Sequence, residues 1–449
     1  MAAEDQPNPM EEFLRQFGIT PGPDGTFDLN QLMGPLQQAM QQFSRQMSAM
    51  GGAPGDGLNW TLVKDIARKV TAAAGPDPSP AASEAVAIRD TVGLAELWLD
   101  EHTAFARTAA SAATWSRAEW VEATIGTWEQ LAGSVSSSLA GAVGSLLQRA
   151  EPEAAAMVQM MEPMMRMAAT GMLSAQVGQG IGQLATDVLS GSDLGIPLTD
   201  RPVVALLPTN IAAFADGLDV PLADVRLYLA LREAARQRLF ANVAWLGPQM
   251  LALIEHYARG ITIDPTAFEE AMEAQIQGGL TPERMEEFGQ QMAGRLFQPA
   301  LSPDQVAILG RLETLVANVE GWVDDVVAQA TATLMPRADA LLEMVRRRRA
   351  AGGASEGALK TLLNLELRPR RVRDAANLWA AVRSGKGVEE RDAVWSHPDL
   401  VPTGADLDDP LGFAAHGHVA EQATDQFDDL DAALARLIEQ ERGEGPPSP

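Results

Sequence analysis

Residues 222–240 read Leu222-Ala223-Asp224-Val225-Arg226-Leu227-Tyr228-Leu229-Ala230-Leu231-Arg232-Glu233-Ala234-Ala235-Arg236-Gln237-Arg238-Leu239-Phe240. On a helix at about 100° per residue, Val225, Tyr228, Leu229, Leu239 and Phe240 form one apolar stripe. Arg232 and Arg236 fall within about 20° of its centre by the same spacing. Leu227, Ala230 and Ala234 make the other face apolar in part, so the stretch predicts a well-buried helix. A guanidinium stays protonated in a protein, and burying it calls for carboxylate or carbonyl partners.

A partner helix is predicted over residues 312–328, where Leu312, Leu315, Val316, Val319, Val323 and Val326 make an apolar stripe. Glu320 lies on one edge of that stripe and Trp322 on the other, with Asp324 and Asp325 further round. These acids are the candidate partners of Arg232 and Arg236.

The remaining signals are mostly helical. Ser116-Arg117-Ala118-Glu119 reads as a capping box, and Ser302-Pro303-Asp304-Gln305 as a cap, a first-turn proline and a return residue. Thr281-Pro282 and Asp264-Pro265 are similar starts. Pro202-Val203-Val204-Ala205-Leu206-Leu207-Pro208 is the best strand signal, and its prolines limit it to a short one. The fold expected is mainly α, with few or no strands.

Residues 1–56 are rich in Gln, Met, Gly and Pro and read as a low-complexity segment holding one amphipathic helix, Pro35 to Met50. A helical body is expected over 57–413 and an acidic tail over 414–449, with both termini disordered. Between Met157 and Leu189, seven methionines and the glycines at 171, 178, 180 and 182 suggest a plastic helix core with close helix approach.

The net charge of −26 repels nucleic acid and anionic lipid, so neither is an expected partner. Two basic runs, Arg346 to Arg349 and Arg368 to Arg373, read as solvated helix ends. The chain has no cysteine, which excludes disulfides, thiolate metal sites and cysteine nucleophiles. Met1-Ala2-Ala3-Glu4-Asp5 has no apolar core and no stretch reaches about 18 uncharged apolar residues, so no membrane span and a cytoplasmic location are expected. No Gly-rich phosphate loop and no Gly-x-Ser-x-Gly elbow is present.

Several blocks carry a family resemblance. They are Leu97-Trp98-Leu99-Asp100-Glu101, Trp115-Ser116-Arg117-Ala118-Glu119-Trp120-Val121-Glu122, Leu227-Tyr228-Leu229-Ala230-Leu231-Arg232-Glu233-Ala234-Ala235, Glu320-Gly321-Trp322 and Trp395-Ser396-His397-Pro398-Asp399-Leu400. With them the body, from Trp60 to Phe413, resembles an actinobacterial family of zincin-like metallopeptidases. Branches of that family carry His-Glu-x-x-His, in which histidines at i and i+4 grip zinc and the glutamate activates water.

The resemblance places the two histidines at Arg232 and Arg236, the general base at Glu233 and a third ligand at Trp322. Only Glu233 matches. The reading that follows is a degenerate, zincin-like binding or scaffold protein for a peptide or protein partner, with Arg232, Arg236, Glu320, Trp322, Asp324 and Asp325 at its site and no metal ligands. It needs no cofactor, and zinc enters only if the family activity is retained. The alternative is an active metal-dependent hydrolase with Glu233 as base and ligands drawn from His256, His397 or the acids. His416-Gly417-His418 is a weak chelating signal. A third reading has the terminal segments recruit another protein.

Overall fold

The computed structural model describes residues 57–108, 111–149, 170–171, 173–260, 301–350 and 371–418. The readings for Pro35–Met50, Asp264, Thr281, most of the methionine-rich run, Arg368, Arg370 and most of the tail fall outside these residues. Among the described residues the protein is mainly α. Its helices are α1 (Trp60–Ala73), α2 (Ala82–Leu99), α3 (Arg117–Arg149), α4 (173–187), α5 (Pro208–Ala215) and α6 (Leu222–Asn242). These are followed by α7 (Leu246–Arg259), α8 (Pro303–Thr331), α9 (Ala338–Ala350) and α10 (Val372–Lys386). The short helices α11 (Val388–Ala393), α12 (Gly404–Asp408) and α13 (Pro410–His416) close the described body.

The capping chemistry read from sequence sets the helix starts. Ser302 accepts from Gln305 N at 3.1 Å while Gln305 returns to Ser302 N at 3.0 Å, and α8 begins at Pro303. Ser116 and Glu119 make the same reciprocal pair at the head of α3. Each arrangement satisfies two backbone donors that the first turn leaves without partners.

Two short strands pair in parallel, β1 (Ser111–Thr114) with β2 (Val203–Leu206), in the register Ser111 to Val203 through Thr114 to Leu206. β2 is the proline-bounded strand expected from sequence. β1 reads Ser-Ala-Ala-Thr, which carries little strand propensity, and only the pairing makes it a strand. The 189–191 segment also bonds to β2: Leu207 N donates to Leu189 O and Gly191 N to Ala205 O. This brings Ser190 and Ser192 up to α6.

The centre of the body is α6, which packs against both α2 and α8. Every side chain from Tyr228 to Leu239 is buried. Each fully buried Leu or Val there contributes about 1.5–3 kcal/mol, which offsets the cost of the charged groups sharing the helix.

Close approach fixes two sets of glycines. A Cβ on Gly321 of α8 would lie 2.6 Å from Ala375 Cβ and Ala376 N of α10. Cβ atoms on Gly178 and Gly182 would meet α1 at 2.7 Å (Val63 O) and 2.6 Å (Val70 Cβ), as the small residues of this stretch suggested. No described helix is long and apolar enough to cross a membrane.

Candidate functional site

The i,i+4 spacing of Arg232 and Arg236 turns both guanidiniums toward α8, and Glu320 meets them together. Arg232 Nη2 donates to Glu320 Oε2 at 2.8 Å, and Arg236 Nε to Glu320 Oε1 at 2.6 Å. One turn along α8, Asp324 Oδ1 takes Arg232 Nη1 at 2.6 Å. All four side chains are buried, each no more than 3% exposed. The sequence expectation of charge pairing on the inward face therefore holds for Arg232, Arg236, Glu320 and Asp324.

Glu233 lies beside this seam, enclosed by donors. Its Oε2 accepts from Ser190 Oγ at 2.7 Å, Ser192 Oγ at 2.8 Å and Arg236 Nη1 at 3.3 Å. Its Oε1 accepts from Ser192 N and Gln237 Nε2, both at 3.1 Å. Burial pushes the Glu233 carboxyl up, against Arg236, the two serines and Gln237. The serine loop is itself anchored, because Asn210 Nδ2 donates to Ala185 O and Val188 O while Arg117 Nε donates to Asn210 Oδ1.

The basic run at the end of α9 is not a solvated helix end. Arg346 Nη2 reaches Asp324 Oδ2 at 2.9 Å, Arg349 Nη1 reaches Glu320 Oε2 at 2.6 Å, and Arg348 reaches Asp193 at 3.0 Å and Asp187 at 3.3 Å. Only Arg347 faces outward, onto the exposed Glu343. Five guanidiniums thus face five carboxylates: Arg232, Arg236, Arg346, Arg348 and Arg349 against Glu233, Glu320, Asp324, Asp187 and Asp193. Burial alone would raise Glu320, but Arg236, Arg349 and Arg232 hold it well below the usual carboxylate range. Asp193 is lowered in the same way: burial opposes, and Arg348, Arg236 and Arg349 prevail.

Two expected members, Trp322 and Asp325, are elsewhere. On α8 their mean direction is about 150° from that of Glu320 and Asp324, so the helix presents them to its opposite side. Asp325 Oδ2 takes Arg391 Nη1 at 2.8 Å and Arg383 Nε at 3.1 Å. Trp322 Nε1 donates to Asp392 Oδ1 at 2.8 Å, with Arg391 5.5 Å over its ring and Phe105 packed 5.6 Å away. Trp322, where the resemblance placed a third ligand, and Asp325, named as a candidate partner of Arg232 and Arg236, thus bond within this second group instead.

The histidines engage other partners. His256 lies 3.5 Å from the exposed Asp304. His397 Nδ1 accepts from Asp399 N at 3.2 Å, a local cap and not a ligand position. His418 meets Asp406 at 2.8 Å and the edge of Phe413, while His416 ends α13. Among the described residues no three or more His, Cys, Asp or Glu side chains are grouped to hold a metal ion.

Residues 58–414 match the zincin-like metallopeptidase family. The chain belongs to that family. No protein of curated function matches it. A crystal structure from Chloroflexus aurantiacus, described provisionally as a hydrolase with a novel fold, is similar in fold, with a TM-score of 0.52 at 17% identity. The match covers 80% of this chain and 98% of that one.

Family membership implies zinc, and the side chains present do not fit it. Arg232 and Arg236, at the two histidine positions, are cations without a lone pair for a metal. The Glu233 oxygens already receive five donors.

Sequence reasoning missed Ser190, Ser192, Asp193 and the inward role of the α9 arginines. Gln237 was missed as well, although its i+4 spacing from Glu233 was a local signal. The serines carry no local signal, because a strand pairing some forty residues upstream of Glu233 delivers them.

Proposed function

We propose that this zincin-like protein is catalytically degenerate and works as a binding or scaffold protein for a peptide or protein partner. The observation that carries the reading is the saturation of Glu320 and Asp324 by Arg232 and Arg236 on the helix face where ligands would point. An arginine there contributes fixed positive charge without Lewis acidity or an exchangeable water. Glu233, with five donors on two oxygens, is a structural acceptor and not a poised base. Since these residues are buried, their part in binding is to hold the body in shape, and a partner touches the surface the body presents.

Elemental analysis of the purified full chain, combined with a peptide-hydrolysis assay on wild type and Glu233→Gln, tests this. The expected result is sub-stoichiometric zinc after mild chelation and no hydrolysis that depends on Glu233. Stoichiometric zinc that resists mild chelation, or hydrolysis abolished by Glu233→Gln with an unchanged melting temperature, would establish the active metallohydrolase instead.

A further inference from the structure

We propose that the exposed side of α2 is a self-association surface, on which a second copy of this chain docks through its own α2, antiparallel and about a two-fold axis. The inference goes beyond the reading above and stands whether or not the zinc chemistry is lost.

α2 is apolar on both sides. Ile88, Val92, Ala95 and Leu99 are buried, and the helix packs against α6. On the opposite side Val86, Leu94 and Leu97 are 48%, 41% and 59% exposed. Helical spacing puts these three within about 80° of arc. A helix that is apolar all round belongs in an interior, and the described residues cover one side of this one. The exposed side chains therefore form a stripe and are not scattered singly over the surface.

The stripe is complementary to itself. Asp90 and Gly93 lie within it and Arg89 on its flank. Arg89 and Asp90 are both exposed, and neither has an ion-pair or hydrogen-bond partner among the described residues. Antiparallel pairing about a point level with residues 91 and 92 sets Val86 against Leu97 of the second copy and Asp90 against its Gly93. The two-fold repeats each contact. Arg89 of the second copy then lies four residues, about 6 Å, along the helix from Asp90. An arginine side chain spans that distance, so two ion pairs flank the apolar contact.

Gly93 supplies the room. A Cβ there would meet nothing within 4 Å, and its φ is not left-handed. Neither packing nor backbone conformation within the chain calls for glycine, which costs stability in a helix interior relative to alanine. Opposite Asp90 of a second copy, the missing side chain lets the two helices close up.

One helix pair buries less than the roughly 1,600 Å² of a standard interface, and the net charge of −26 on each copy opposes association. The dimer is accordingly weak, with a Kd in the micromolar range.

The test is sedimentation of the full chain over about 1–200 μM in about 0.15 M salt, where the Debye length is about 8 Å. The mass should rise from 47.8 kDa toward twice that value and stop there, because a two-fold interface closes on itself. Gly93→Arg should keep the chain monomeric without lowering its melting temperature, since the single chain has space for the side chain. Arg89→Asp and Asp90→Arg should each weaken association about tenfold by facing like charges, and the double swap should restore it. A monomer at every concentration overturns the proposal, as does association that Gly93→Arg leaves intact. A mass beyond the dimer, or a double swap no better than its single variants, overturns the antiparallel two-fold.

Discussion

The two faces of α8 carry the same chemistry to different ends. Toward α6, Glu320 and Asp324 receive guanidiniums from two helices, Arg232 and Arg236 from one side and Arg346 and Arg349 from the other. Toward α11, Arg391 is held by Asp325, Asp392 and the carbonyl of His102, while Asp392 also accepts from Trp322, Thr103 and Ala104. In the first group each carboxylate depends on arginines. In the second, neutral and backbone donors share the load. A buried arginine–carboxylate pair is therefore an ordinary joint in this protein. The α6 face is set apart by the convergence of residues 232 and 236 on one carboxylate.

This contrast gives a ranked set of expectations. Glu320→Ala takes a shared carboxylate from Arg232, Arg236 and Arg349 at once and should cost about 3–5 kcal/mol, the range for breaking a buried ion pair, read from urea unfolding. Arg391→Ala should cost less, about 1.5–3 kcal/mol, because Arg383 remains on Asp325 and three neutral donors remain on Asp392. If Arg391→Ala proves the more damaging, the two faces have been ranked in the wrong order.

Acid sharpens the same distinction. Glu320 and Asp193 are depressed in the folded state, so their contribution is complete above their unfolded values of about 4.3 and 3.9. It is lost as pH falls through those values toward the folded ones. Glu233 is raised and has the opposite sign: its ionisation erodes stability as pH climbs above about 4.3. Stability measured against pH should show a shallower acid limb in Glu320→Gln. In Glu233→Gln that limb should stay and the erosion above it should disappear.

Trp322→Phe removes one of four bonds to Asp392 and should cost about 1 kcal/mol, seen as a small shift in the urea midpoint. The smallest effect belongs to Arg347→Ala, which should leave the midpoint unchanged while Arg349→Ala lowers it. Equal shifts would mean that the inward and outward arginines of α9 are not distinguished energetically.

Much of the fold was legible because it is local. The capping boxes at Ser116 and Ser302, the extent of α6 and α8, and the confinement of β2 between prolines follow from short-range bonding and periodicity. The inward placement of Arg232 and Arg236 was legible for the same reason. The side taken by Trp322 and Asp325 was not, since an apolar stripe with acids on both flanks does not say which helix covers which flank.

The α9 arginines expose the limit most clearly. Four consecutive arginines look like a solvated end, and periodicity cannot reveal that three of them find carboxylates on α8 and on the 187–193 stretch.

The amino-acid sequence by itself determined that this protein is helical, that two guanidiniums lie where a zinc motif would place histidines, and that these need buried acidic partners. Periodicity and side-chain chemistry operate within a helix turn and suffice for that much. Only the tertiary structure decided that Glu320 serves both arginines, that Trp322 belongs to another centre, and that serines 190 and 192 enclose Glu233. These are contacts between residues 41 to 92 positions apart, set by how helices and one strand pair pack.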